Sequence, residues 1–509
     1  MNKKVCSFPI LFALLALLIG TCAVVFPASA QAAPSATGSI TVSGTVARSY
    51  DAYQIFDANV VDGDNDAKIA TDLAWASGAA RDAVLPVLHS AGMPNSQTTA
   101  QEAAEWLNTD SHLTSALSAQ LARSLQSSDA EPVALNAGTA AELSCGYWLI
   151  VAKDDAISQN EAGTAPIMAL VGGGAVAVKP KAATPKVSKH VLEDSTAAWQ
   201  KAADATVADD LYWRLSATVP AGLTAYDTYA VRFVDTMSAG LDPSKVAASM
   251  RVYVAAGADG GFDAVQAGKD GRAGTEPAKG WTDITAQCRV SVDGKTFTVR
   301  TGDLIAALGG ADAFTAGARV VAVYNAPLNS ACNHGIAKGN PNEVYLRYPR
   351  SPFADQSGDA GFTRTPSDDA CAYTWDLALT KRGSDGDKPL AGAVLSIADD
   401  RGRTLAADGT WDAEGKVTVT TGEDGRVTVS GVDSGKLEVR ESKAPKGYTA
   451  FEGTRSVTVK AEGLDVDQVA AAKPKLTITA ESPLRADSAD GSTGSLEASL
   501  INTPTGTPP

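Results

Sequence analysis

Tyr373-Thr-Trp-Asp-Leu-Ala-Leu-Thr-Lys381 places Tyr373, Trp375, Leu377 and Leu379 at every second position and then sets Lys381 on the same face. Alternate side chains of a strand share a face, so this reads as a half-buried strand whose apolar side ends in an amine. Two later stretches have the same form. Leu437-Glu-Val-Arg-Glu441 carries Leu437 and Val439 toward Glu441, and Leu496-Glu-Ala-Ser-Leu-Ile-Asn502 carries Leu496, Ala498 and Leu500 toward Asn502. Taken singly, a polar residue at a strand end is ordinary, because strand ends reach solvent. Taken together, an amine, a carboxyl and a carboxamide form a reactive set. Desolvation favours the neutral amine, which is a nucleophile, and the protonated acid, which polarises the carboxamide and moves protons as ammonia leaves. The product is one Lys–Asn amide per molecule, a self-modification without turnover.

The surrounding chain is consistent with such strands. It has 509 residues, 43 Lys and Arg against 58 Asp and Glu, a formal charge of -15 and only 6% aromatics. The acidity argues against a nucleic-acid partner, and the 46 Gly follow no collagen-like period. Four His, at 89, 112, 190 and 334, give no catalytic constellation, and no cofactor or metal is expected. Residues 1–30 read as a signal peptide: Lys3 and Lys4, an apolar run from about Phe8 to Phe26, then Ala28-Ser29-Ala30. Beyond it remain Cys145, Cys288, Cys332 and Cys371, for which export permits three disulfide connectivities. Cys288 with Cys332 is expected because both fall in one domain, which leaves Cys145 with Cys371.

The fold class expected is mainly β: three tandem immunoglobulin-like β-sandwich domains, with a helical insertion in the first. The first runs over 36–181. Within it, Thr99-Ala-Gln-Glu102 reads as a capping box ahead of Trp106 and Leu107, and Leu113, Leu117, Leu121 and Leu125 mark one face of a second helical stretch. Lys181-Ala-Ala-Thr-Pro185 is a junction, and a strand-rich domain follows over 186–353. Segment 354–370 is rich in Asp, Gly, Ser and Thr and reads as a linker. The last domain spans 371–505, with Gly422-Glu-Asp-Gly425 as a tight hairpin turn.

These residues resemble a known family, the Gram-positive, sortase-assembled major pilins with isopeptide-forming domains. Lys381-Arg-Gly-Ser-Asp-Gly-Asp-Lys-Pro-Leu-Ala-Gly resembles the opening of a collagen-adhesin B-type module, Leu437–Tyr448 its acidic-box motif, and Leu500-Ile-Asn502-Thr-Pro504 its closing strand. The resemblance implies a bond from Lys381 to Asn502 with Glu441 as catalytic acid. Ala52-Tyr-Gln-Ile-Phe56 and Cys145-Gly-Tyr-Trp-Leu-Ile-Val151 are similar to the amino-terminal pilin domain, and Val176-Ala-Val-Lys-Pro-Lys181 to the motif whose Lys181 accepts the intersubunit linkage, although Lys179 stands where many members have Tyr. The implied role is a structural backbone subunit of a covalently polymerised cell-surface pilus used in adhesion, with a tip or standalone secreted adhesin as the alternative. The implied partners are identical subunits, a pilus-specific sortase, minor pilins and host or microbial surface ligands.

Two departures from the family pattern stand out. In the middle domain Val187, Lys189 and Val191 share a face, as do Val231, Phe233 and Asp235, which resemble the family's lysine and acid. The expected terminal Asn follows Tyr348, but the chain reads Tyr348-Pro349-Arg350 there. The expectation is that Arg350 pairs with Asp235 and leaves Lys189 unlinked. Asn342 shares the strand face but lies further upstream than the family pattern places the amide. At the end, Thr503-Pro504-Thr505-Gly506 departs from the Leu-Pro-x-Thr-Gly sorting signal that the resemblance implies, and cell-wall attachment requires that signal. The chain is read as shortened or processed, with a naturally truncated, secreted subunit as the alternative.

Overall fold

Alternating apolar residues become strands over most of the chain, and the strands stack as paired sheets. The computed structural model describes residues 37–506, apart from 44–48, 63–67, 110–111, 155–156, 181–183, 208, 221–222, 258–279, 311–312, 314–316, 400 and 408–409. The expected signal peptide and Lys181 lie outside the described residues. The chain divides into two compact units. The first takes residues up to 183 with 224–227 and 350–361; the second takes the remainder.

In the first unit Thr37–Val42 lies between Ala140–Ser144 and Val176–Val178, while Ser49–Asp62 and Gly146–Ala152 centre a five-stranded sheet. Three helices interrupt the strands: Gly78–Ser90, Ala100–Asn108 and Ser115–Gln126. Thr99 and Glu102 form the expected capping box, with Glu102 N donating to Thr99 Oγ1 and Thr99 N donating to Glu102 Oε2. Leu117, Leu121 and Leu125 are buried against Val84, Leu88, Leu107 and the inner face of the sheet at Leu149 and Val151. The i+4 repeat thus lies on the face that the helix buries.

The second unit holds two β-sandwiches. In the middle one, a six-stranded sheet with Lys186–Glu193, Tyr212–Val219 and Ala318–Asn325 as consecutive neighbours faces a sheet in which Asn340–Pro349 pairs with Arg232–Met237. Within the segment expected as a linker, Phe362–Arg364 and the start of Asp368–Tyr373 both pair antiparallel to Asn340–Pro349. Asp368–Tyr373 leads directly into Trp375–Gly383, the first strand of the next sandwich. There Trp375–Gly383 lies between Arg426–Val432 and the parallel Ser495–Pro504, and the opposite sheet contains Gly435–Lys443. Polar contacts, buried at Asp204 and half-buried at Asp209, tie the two sandwiches together. Asp204 Oδ2 accepts from Trp375 Nε1 at 2.6 Å, and Arg403 grips Asp209 through both carboxylate oxygens at 2.6 and 2.7 Å.

The structure overturns the disulfide expectation: among the described residues no disulfide joins Cys145, Cys288, Cys332 or Cys371. Cys145 fills apolar space with Ala58, Val60 and Ala70, and Cys371 packs in the core that contains Trp375. Cys288 follows the Thr285–Gln287 turn, where its thiol donates to the Ile284 carbonyl. Burial pushes the thiols of Cys288 and Cys371 up to about 11, as expected of cysteines that act as small apolar side chains. Sharing a domain was the ground for pairing Cys288 with Cys332. A disulfide instead requires close, converging Cβ atoms, which domain membership does not supply.

Candidate functional site

Lys381, Glu441 and Asn502 meet at the end of the last sandwich. Trp375–Gly383 and Ser495–Pro504 run parallel, with Lys381 opposite Leu500 and Gly383 opposite Asn502. Lys381 and Asn502 are therefore diagonal neighbours on the inner face of one sheet. Glu441 comes from the facing sheet, where it stands opposite Leu395. The strand around Lys381 is pinned by its own backbone: Lys381 N donates to Gly425 O at 2.8 Å and Leu390 N donates to Lys381 O at 2.9 Å. Gly425, in the expected hairpin turn, has φ +71°, and a β-carbon there would sit 2.7 Å from Leu390 N. Only glycine meets both demands.

Lys381 Nζ contacts Asn502 Oδ1 and lies 3.2 Å from Glu441 Oε1. Asn502 Nδ2 donates to both Glu441 oxygens at 3.0 Å, and Glu441 Oε2 also accepts from Phe451 N at 3.1 Å. The Lys381 and Glu441 side chains are wholly buried, and Leu379, Leu395 and Leu500 line the same core. Burial pushes the Lys381 amine down to about 8, against the pull of Glu441 toward the charged form. Amine, carboxamide and carboxyl are thus within reach of one another in a dry site, where acyl transfer from Asn502 to Lys381 needs only proton movements.

A second buried set occupies the middle sandwich. Lys189 is wholly buried on one sheet, and its Nζ contacts Asp235 Oδ2 from the other. Tyr324, on the Lys189 side, lies two strands away across Trp213. The register sets Asp235 opposite Val344 and Met237 opposite Asn342, so Asp235 and Asn342 are diagonal neighbours on one inner face. Burial pushes the Lys189 amine down to about 8 and the Asp235 carboxyl up. Asp368 and Lys201 brace the nucleophile's backbone: Lys189 N donates to Asp368 Oδ2 at 2.7 Å, Lys201 Nζ donates to Lys189 O at 2.9 Å, and Lys201 pairs with Asp368.

Asn342 reaches this set through Tyr324: its Nδ2 donates to the hydroxyl that Lys189 Nζ and Asp235 Oδ2 also contact. Arg350 follows Val344 by six residues, and its guanidinium donates to the Asp154 carbonyl at 3.3 Å. The carboxylate's cationic partner is Lys189 itself. Asn342 was visible in sequence on the correct strand face, but the distance of the family's amide from Tyr348 argued against it. Tyr324, Asp368 and Lys201 were not singled out. For Tyr324 the available signal was the alternation Val320, Ala322, Tyr324, an inward face ending in a hydroxyl. Among the described residues no group of three or more His, Cys, Asp and Glu is arranged to hold a metal ion.

Residues 376–473 match the family model described as SpaA, prealbumin-like fold domain. The trypsin-resistant surface T6 protein of Streptococcus pyogenes serotype M6 is 29% identical over 143 residues, which cover 26% of this chain and 24% of that protein. The match thus spans about a quarter of the curated relative's length. Among solved structures, the T6 backbone pilin of serotype M6 S. pyogenes, described as a modular three-domain structure, superposes with a TM-score of 0.50 at 17% identity, covering 94% of this chain and 100% of that one. The major pilin SpaD of Corynebacterium diphtheriae superposes at 0.43 with 15% identity, over 92% of this chain and 98% of its own. The fold is that of a backbone pilin.

Proposed function

We propose that this chain is a structural backbone subunit of a covalently polymerised pilus on the cell surface, stabilised by internal Lys–Asn isopeptides. The observation that carries the reading is the buried contact of Lys381, Asn502 and Glu441. Neutral Lys381 Nζ attacks Asn502 Cγ, and the Cγ–Nδ2 bond breaks. Glu441 takes a proton from the amine and returns one to the departing nitrogen, so that amine and carboxamide become a secondary amide and ammonia. The same chemistry is proposed for Lys189 and Asn342 with Asp235 as the acid. The bond at Lys381 ties the first and last strands of one sheet. The bond at Lys189 staples the two sheets of the middle sandwich together.

Pilus assembly requires the chain to be joined to identical subunits. A sortase making that bond through Lys181 fits the likeness to backbone pilins, as do attachment of minor pilins and adhesion to host or microbial surfaces. The protein then acts by carrying load, and its only chemistry is one turnover per bond. Intact-mass measurement of Glu441→Ala tests the central step. The variant is expected to retain one more ammonia than the wild type, because the proton-transfer group is gone while Lys381 and Asn502 remain. Equal loss of ammonia in both proteins would refute Glu441 as the acid.

A further inference from the structure

We propose that Tyr324 is a third catalytic residue of the middle-domain reaction, its hydroxyl relaying a proton from Asp235 to the amide nitrogen that leaves Asn342. This inference rests on the Lys189–Asn342 reading above. The two buried sets differ at one point. In the last sandwich the acid is a glutamate, and both its oxygens lie 3.0 Å from the departing nitrogen, Asn502 Nδ2. In the middle sandwich the acid is an aspartate, one methylene shorter, and its hydrogen-bond partners are Lys189 and Tyr324.

The Tyr324 hydroxyl spans the difference. It accepts from Lys189 Nζ at 2.8 Å and from Asn342 Nδ2 at 2.8 Å, and it donates to Asp235 Oδ2 at 3.1 Å. One donor and two acceptor positions are all that a phenol has, so every one is used on a group of the reaction. The ring is held edge-on by Phe297 at 4.7 Å, and the side chain is wholly buried. Two buried oxygens, Asp235 Oδ1 and Asn342 Oδ1, have no hydrogen-bond partner. An uncompensated buried acceptor is costly, so packing alone does not account for this set. Burial, reinforced by Asp235, holds the Tyr324 phenol well above its ordinary pKa, so it passes protons without ionising.

The step balances as follows. Neutral Lys189 Nζ forms a bond to Asn342 Cγ and gives up a proton to Asp235 Oδ2. As the Cγ–Nδ2 bond breaks, Tyr324 gives its hydroxyl proton to Nδ2 and takes the proton from Asp235 Oδ2. Ammonia leaves, and Tyr324 and Asp235 regain their starting protonation.

The test uses the full chain, isolated unfolded in denaturant, refolded by dilution and followed by peptide-resolved mass spectrometry. Tyr324→Phe removes one oxygen and keeps the ring. Formation of the Lys189–Asn342 bond is expected to slow by about 100-fold or more. The Lys381–Asn502 bond in the same molecules should form at the wild-type rate, which controls for folding. A longer acid should then replace the relay: Asp235→Glu in the Tyr324→Phe background is expected to restore bond formation, since a glutamate can reach the amide nitrogen as Glu441 does. A purely structural hydroxyl would not be rescued in this way. An unlinked wild type overturns the Lys189–Asn342 reading itself. A linked wild type with a Phe variant that links as fast, or a slow Phe variant that the glutamate does not rescue, overturns the relay alone.

Discussion

At the scale of single residues the proposed chemistry depends on making a neutral lysine easier to reach where water is absent. The unfolded amine titrates at ~10.4, whereas in the fold burial brings Lys381 down to about 8. Between those values the unfolded chain binds more protons than the fold, so the stability of the unlinked precursor is expected to rise with pH across that window. Bond formation has a different dependence. The attack needs the neutral amine, whose fraction grows as pH rises toward about 8. Refolding denatured chain at stepped pH, with the Lys381–Asn502 peptide quantified over time, should show formation quickening up to about pH 8 and levelling above it. A rate that keeps climbing to about pH 10.4, where an ordinary lysine titrates, would contradict the lowered amine. The residues of this site were legible in sequence because each ends an apolar alternation. Asn342 was passed over in the reading for its distance from Tyr348, and Tyr324 was hidden because a phenol inside a core usually signifies packing.

Elements determine whether those residues meet. Alternation reveals which side chains share a face, but it does not say which strands are neighbours or which sheet a strand joins. That is why the contact of Lys381 with Asn502 on one sheet, and the meeting of Lys189 and Asn342 at Tyr324 across two, emerge only from the structure. The turn at Gly425 is a clear case of an element serving the site. Gly425→Ala forces a β-carbon into the left-handed region beside Leu390 N, and is expected to cost about 1–2 kcal/mol. Because the same turn holds the Lys381 backbone, bond formation should slow as well. Denaturation of Glu441→Gln with and without Gly425→Ala measures the first effect free of the crosslink. The helices are governed by packing. Leu121 is wholly buried, and Leu121→Ala should destabilise the first unit by about 2–5 kcal/mol. Thermal unfolding read by helix-sensitive circular dichroism should register the loss.

For the molecule as a whole, the proposed Lys–Asn bonds would take the place that disulfides were expected to fill. Thiol titration of denatured protein lacking residues 1–30 should find four reactive cysteines, with or without reductant. A Lys381–Asn502 bond would close a loop of 121 residues. Loop-closure entropy for a crosslink of that span stabilises the fold by about 5 kcal/mol, so Glu441→Gln should unfold at a clearly lower denaturant concentration than the wild type. The β architecture and the meeting of Lys381, Glu441 and Asn502 were readable from short alternating stretches, because both follow from which face is dry. The cysteines were not, since thiol pairing depends on three-dimensional approach. Peptide-resolved mass spectrometry of wild-type folded protein reads whether the buried amines and carboxamides have become amides. The expected result is two branched peptides, Lys381 joined to Asn502 and Lys189 joined to Asn342, with an intact mass lower by two ammonias. Recovery of Lys381 and Asn502 only in separate, unmodified peptides would contradict it.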